Sequence, residues 1–170
     1  MPSPFVIGDL HGFTPQVARL VGMMSYARQT TIDTVAGLSV AQLDHLHDEK
    51  SNSIGALLAH VAAVEKAYQA ITFHLRDEQS DYWRAATDLG DEARRMIRGR
   101  PLDAYIADFA RVRSTTLAEL AKRNDKWLYE ETPFWRGQPA NNYFKWFHVV
   151  EDELNHRGQM RFLVKRLPAI

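Results

Sequence analysis

Apolar residues recur along this chain at spacings of three and four, the period of an amphipathic helix, in four separate stretches. Val17, Leu20, Val21, Met24 and Ala27 make the first. Thr14 offers a capping oxygen, and Pro15 suits a first turn whose N–H has no intrahelical partner. The predicted helix spans residues 14–36, with Gly37 as its terminator. A short helical turn from Ser39 to Leu43 and a polar loop follow. Ser53 can cap the second long helix, whose broad apolar face carries Ile54, Leu57, Leu58, Val61, Val64, Ala67 and Tyr68 and which runs to about Leu75. From Arg76 to Arg100 the chain turns polar and predicts a long connection, with one short helix near Asp91–Ile97. Pro101 opens the third long helix, bearing Leu102, Tyr105, Ile106, Phe109, Val112, Leu117 and Leu120 and fading by Asn124. The stretch ETPFWRGQPANN reads as irregular, with two prolines and a glycine. Asn141 or Asn142 then caps a fourth helix that runs to about Arg166, where Leu167-Pro168 stops it.

No segment alternates with period two, so no strand or hairpin is predicted. Four long helices in a chain of 170 residues predict an all-α fold, a four-helix bundle in a single domain over residues 1–170. The link between the second and third long helices is too long for a tight turn, and predicts a crossover that leaves them parallel. Composition adds exclusions. Lys and Arg number 21 against 21 Asp and Glu, which gives no electrostatic footprint for nucleic acid or an anionic membrane. No run approaches ~18 uninterrupted apolar residues, so no membrane span is predicted. The start MPSPFVIGDLHGF has neither a basic nor a long apolar region, so no signal peptide is expected and the expected location is cytoplasmic. The absence of cysteine excludes disulfides, thiolate zinc sites, cysteine nucleophiles and iron–sulfur clusters.

In a helical bundle the informative residue is a polar one on a core-facing stripe. His60 lies three residues after Leu57 and four before Val64. His148, Asp152 and His156 follow one another at i, i+4, i+8 in the fourth helix, so they stack on one side of it, among apolar neighbours. A divalent metal needs several N or O ligands converging on one point. Two ligands at i, i+4 share a bite, and one from a facing helix completes a three-ligand face. His60, Asp152 and His156 would make a two-histidine, one-carboxylate set that suits zinc, nickel, iron or manganese and leaves positions open for catalysis. The same residues also read as hydrogen-bonded cleft histidines, and Glu151, Asp152 and Glu153 as a solvated acidic face. His148 reads as a pocket liner, a hydrogen-bond partner or, in a catalytic role, a proton relay.

Other constellations are weaker. No glycine pattern for nucleotide binding occurs. Ser114, Thr115 and Thr116 have no positioned base. Trp127, Tyr129, Phe134, Trp135, Tyr143, Phe144, Trp146 and Phe147 cluster before and into the fourth helix, and read as packing residues, with Trp135 a candidate for a pocket mouth or a dimer face. Arg157 is a candidate for an ion pair or an anionic substrate, and Gly158 for a close helix–helix approach.

The segments NSIGALLAHVAAVE (Asn52 to Glu65) and WFHVVEDELNHRGQM (Trp146 to Met160), with the loop LSVAQLDHLHDEKSNS before the first, resemble the two diagnostic stretches of the DinB superfamily. The ending HRGQ, His156 to Gln159, is the most specific part, and the likeness covers nearly the whole chain. The resemblance implies an up-down-down-up four-helix bundle with a long crossover between helices 2 and 3. It also implies a divalent metal on three histidines, one from the second helix and two from an HxxxH pair in the last. His60 matches the first and His156 the last, while Asp152 stands where the family has a histidine. Some relatives act as S-transferases on low-molecular-weight thiols such as bacillithiol or mycothiol, others act in detoxification or isomerisation, and many have no known activity. The implied function is therefore a metal-dependent small-molecule transferase or hydrolase, with a homodimer expected from family habit and no DNA binding despite the family's name. A non-catalytic ligand-binding or stress-response protein and a metal-free relic of the fold are the competing readings.

Overall fold

The computed structural model describes Ser3, residues 5–76 and residues 80–168. Four long helices stand where the apolar periods place them: α1 (Pro15–Val35), α3 (Ile54–Phe73), α6 (Leu102–Leu120) and α8 (Asn142–Val164). Short helices α2 (Val40–Leu43), α4 (Asp81–Asp88), α5 (Gly90–Met96) and α7 (Asp125–Leu128) fill the connections. Local signals set most starts. The Ser53 hydroxyl accepts from the Ala56 N–H at 3.1 Å, and the Asn141 side chain from that of Phe144 at 2.8 Å. Ser39 and Gln42 cap α2 reciprocally.

The start of α1 departs from expectation. Thr14 does not cap its own helix. Its hydroxyl donates to Asp125 Oδ1 at 2.5 Å, and the same oxygen accepts from the N–H groups of Gln16 at 2.9 Å and Val17 at 3.3 Å. A carboxylate on α7, remote in sequence, thus satisfies the orphan donors of α1 and sits at the positive end of its dipole.

Other expectations are corrected. The connection after α3 carries α4 as well as α5, and α6 stops at Leu120 before a separate α7. The stretch read as irregular forms a hairpin, β1 (Glu131–Pro133) paired antiparallel with β2 (Pro139–Asn141), with Glu131 opposite Asn141 and Pro133 opposite Pro139. Strands of three residues are too short to show alternation, and both prolines sit where the pairing ends, so the sequence carried no period to read. The tip turns through Arg136 and Gly137, both at positive φ (54° and 74°).

In the packing, α3 lies against α6 and α8, and α1 against α8. One apolar cluster gathers Leu43, Leu57, Leu58, Tyr105, Phe109 and Met160; a second gathers Leu20, Met24, Phe73, Trp127 and Trp146. Gly55 lets α3 and α6 approach: a Cβ there would stand 2.7 Å from the Tyr105 hydroxyl. Gly158, expected to serve such an approach, faces open space: a Cβ there would meet no atom within 4 Å. Arg157 lies along α1, donating to the Thr30 hydroxyl with its guanidinium over the Tyr26 ring. Among the described residues no helix is long and apolar enough to cross a membrane.

An ionic layer runs through the core. Arg28 (α1) donates from Nε to Glu153 Oε1 (α8) and from Nη2 to Glu65 Oε2 (α3), each at 2.9 Å. Arg113 (α6) donates to both Glu65 oxygens at 2.8 and 3.1 Å, and Thr116 donates to Glu65 Oε1 at 2.7 Å. Glu65 is fully buried and Glu153 is 2% exposed, so Glu153 belongs to the interior and not to a solvated acidic face. Two arginines and two glutamates balance in charge, the condition under which ions tolerate burial.

Candidate metal centre

His60 comes from the middle of α3, and Asp152 and His156 come from successive turns of α8. The packing of α3 on α8 brings them together: Asp152 Oδ1 lies 3.7 Å from His60 Nε2 and 3.5 Å from His156 Nε2. One ligand atom from each of the three lies within 4.8 Å of the others, the sole such group of histidines and carboxylates among the described residues. Atoms bound at about 2.1 Å to one tetrahedral ion stand roughly 3.4 Å apart, so the spacing is that of a ligand set. The two imidazoles meet edge to face with centroids 4.6 Å apart.

The surroundings prepare these atoms. His60 Nδ1 lies 2.8 Å from the Ala86 carbonyl of α4, which only accepts, so Nδ1 carries a proton and Nε2 is the nitrogen turned to Asp152. His156 Nδ1 lies 3.3 Å from Gln159 Oε1 one turn on, and the same logic applies. Asp152 Oδ2 is enclosed and has no hydrogen-bond partner. Burial opposes charge on both Asp152 and His60, yet their mutual attraction wins. Hydrogen bonding to His156 and His60, with their attraction, holds the Asp152 carboxyl well below the usual carboxylate range, and Asp152 in turn raises the His60 imidazole above its ordinary value. An orphaned carboxylate oxygen and two imidazoles whose Nε2 atoms meet at the same carboxylate are the donor chemistry that a divalent cation, displacing any Nε2 proton, completes. The residues present therefore fit a divalent metal.

His148 is not in this group. Its Nδ1 lies 2.7 Å from Glu151 Oε2, and its ring packs edge-on to Trp135 at 4.8 Å, parallel to Phe144 at 6.3 Å and near Tyr68 at 5.9 Å. Trp135, 57% exposed, sits at the hairpin tip and lines a groove of about 440 Å³ with Phe134 and Phe144. A second groove, of about 570 Å³, is lined by Asn52, Asn155, Gln159 and Phe162 at the His156 end of the row. Neither groove is lined by the three clustered residues themselves.

Three contributors escape a reading of side-chain spacing. Ala86 acts through its backbone. Gln159 stands in the HRGQ run without announcing its target. Tyr68 is on the predicted apolar face, where its ring alone explains it.

The chain matches the family model described as Mycothiol-S-transferase over residues 19–167. Among solved structures it superposes on a conserved protein from Enterococcus faecalis with a TM-score of 0.69 at 16% identity, covering 87% of this chain and 96% of that one. A DinB-like protein from Bacillus cereus gives 0.68 at 15% identity, with 89% and 95% covered. A protein from Streptococcus pneumoniae gives 0.61 at 15%, with 88% of each covered. At these identities the likeness is one of fold. No curated protein matches in sequence.

Proposed function

The chain belongs to the mycothiol-S-transferase family of the DinB superfamily, and from that premise we propose that it is a metal-dependent transferase that joins a low-molecular-weight thiol to a small electrophile. The observation that carries this reading is the convergence of His60, Asp152 and His156 from two helices. The helix order we propose is the family's up-down-down-up bundle. Its support is the run of contacts: Arg28, Thr30 and Thr34 of α1 meet Glu153, Arg157 and Arg161 of α8 in rising order, while His60 and Thr72 of α3 meet Asp152 and Trp146 in falling order.

In this mechanism His60, Asp152 and His156 hold the cation, with zinc, nickel, iron and manganese all suited to two imidazoles and a carboxylate. A cation held there would supply Lewis-acid charge, lowering a thiol's pKa enough for it to ionise at neutral pH. The chain's own residues orient the partners and take the proton. A carboxylate can only accept, so His148 donates from Nδ1 to Glu151 and keeps a lone pair on Nε2. That nitrogen is the acceptor for the thiol proton. The Tyr68, Trp135 and Phe144 rings pack around the imidazole and hold its orientation.

The test is metal content by plasma mass spectrometry on untagged protein, followed by thiol transfer from mycothiol. About one ion per chain is expected, with metal and turnover both lost in His60→Ala. Turnover that survives in a metal-free His60→Ala protein overturns the mechanism. Metal retained without turnover on any electrophile favours a binding protein.

A further inference from the structure

Tyr68 is 6% exposed, yet its hydroxyl has no hydrogen-bond partner among the described residues. Other buried polar side chains near it are engaged: Thr72 Oγ1 donates to the Tyr68 carbonyl at 2.7 Å and accepts from Trp146 Nε1 at 3.2 Å, and Gln69 Nε2 donates to Val112 O and Thr116 Oγ1, both at 2.8 Å. The Tyr105 hydroxyl is enclosed without a partner, whereas the Tyr68 oxygen is not fully enclosed. A phenol O–H that is left unused but accessible inside a packed interior is a donor with an empty place in front of it.

Its place in the fold says what that donor faces. Tyr68 follows His60 by two turns of α3, and its ring lies 5.9 Å from His148, which precedes Asp152 by one turn of α8. Helical side chains lean toward the N-terminus of their own helix, so Tyr68 leans back along α3 toward the His60 level. By the same rule Asp152 and His156 lean along α8 toward the His148 level. Asp152 and the phenol therefore lean toward one another across the gap between α3 and α8, beside the His60 and His156 that Asp152 contacts. Burial, and next the charges of Asp152 and Glu151, keep the phenol protonated well above neutral pH.

We propose that Tyr68 is the hydrogen-bond donor to the group that departs from the electrophile, an inference that rests on the thiol-transfer reading above. In that reaction the thiol sulfur forms a bond to carbon, the bond from carbon to the leaving group breaks, and the leaving group keeps the electron pair. His148 Nε2 receives the thiol proton. The Tyr68 O–H stabilises the departing anion without giving up its own proton. A donor aimed at developing charge contributes where that charge is concentrated, so its effect depends on the leaving group.

The experiment compares wild type with Tyr68→Phe, using mycothiol with chloroacetamide and with iodoacetamide. Chloride holds its charge in a smaller volume than iodide and responds more to a donor. The expected result is a kcat loss of about tenfold or more with chloroacetamide, no more than about twofold with iodoacetamide, and unchanged metal content and KM for mycothiol. A second readout does not depend on turnover. Azide, standing in for the departing anion, is titrated by calorimetry into protein already saturated with metal and mycothiol, so that the thiol's place is filled, and Tyr68→Phe is expected to weaken its binding about tenfold. Equal losses on both haloacetamides, or unchanged azide binding, overturn the role of Tyr68 and leave the thiol-transfer reading standing. Wild type that turns over neither substrate overturns the reading and the inference together.

Discussion

Glu65→Gln changes one buried atom and should cost a large part of the fold's stability. Glu65 is fully buried and accepts four hydrogen bonds, from Arg28 Nη2, Arg113 Nε and Nη2, and the Thr116 hydroxyl. The glutamine side chain has nearly the same volume, so no cavity term enters. What changes is charge: Arg28 and Arg113 are left with Glu153 alone, and an amide N–H₂ now faces a guanidinium that also donates. Breaking a buried pair by neutralising one partner costs about 3–5 kcal/mol, against a total of roughly 5–15 kcal/mol for a domain. Urea unfolding followed by helical circular dichroism measures it, with the midpoint falling and the slope unchanged. Adding Arg113→Met removes the surplus cation, and the double variant should recover part of the loss. A single-variant loss below about 1 kcal/mol, the range of an exposed ion pair, would refute the claim that this layer is a desolvated, charge-balanced unit.

The same layer sets the acid limit. Burial pushes the Glu65 carboxyl up, but Arg113 and Arg28 outweigh it and pull it from 4.5 down to about 2. A depressed folded pKa contributes stability that is complete above the unfolded value and lost as pH falls toward the folded one. Stability should therefore fall between pH 4.5 and about 2, and a Glu65→Gln protein should show a shallower fall in that window. Two glycines give a contrasting pair. Gly55→Ala would press a methyl against Tyr105, itself 1% exposed and unable to swing away, and should cost about 1–3 kcal/mol. Gly158→Ala meets nothing and should gain roughly 0.5–1 kcal/mol from helix propensity alone. Thermal midpoints of the two variants, moving in opposite directions, check both.

The long helices were legible because their signals are local. Ser53 and Asn141 cap within one turn, and the apolar residues repeat on their own helix. The capping of α1 by Asp125 was illegible because donor and acceptor meet only after folding. The hairpin hid for another reason, since three-residue strands ending in proline have no period. The candidate centre was half legible. Spacing put Asp152 and His156 on one side of α8 and His60 on the apolar face of α3, but that these two faces meet is seen only in the folded chain. Arg28, Glu65 and Glu153 carried a mark like that of His60, a polar residue at helical spacing from an apolar one on a buried stripe (Met24, Val61 and Val149, each four places before). They were missed because a single buried charge looks like surface until its counter-charges, each on another helix, are seen around it.

The hydrogen bond from His60 Nδ1 to the Ala86 carbonyl ties the candidate centre to a piece of connecting chain. When α4 is docked, one imidazole tautomer is selected and Nε2 is ready. When α4 lifts away, either nitrogen can hold the proton and that selection is lost. Occupancy at Nε2 and docking of α4 are therefore reciprocal: whatever factor one contributes to the other it receives in return. On the proposal that His60 holds a cation, amide exchange along α4 is expected to slow when the cation binds, and substitutions in that connection are expected to change its affinity without altering His60, Asp152 or His156.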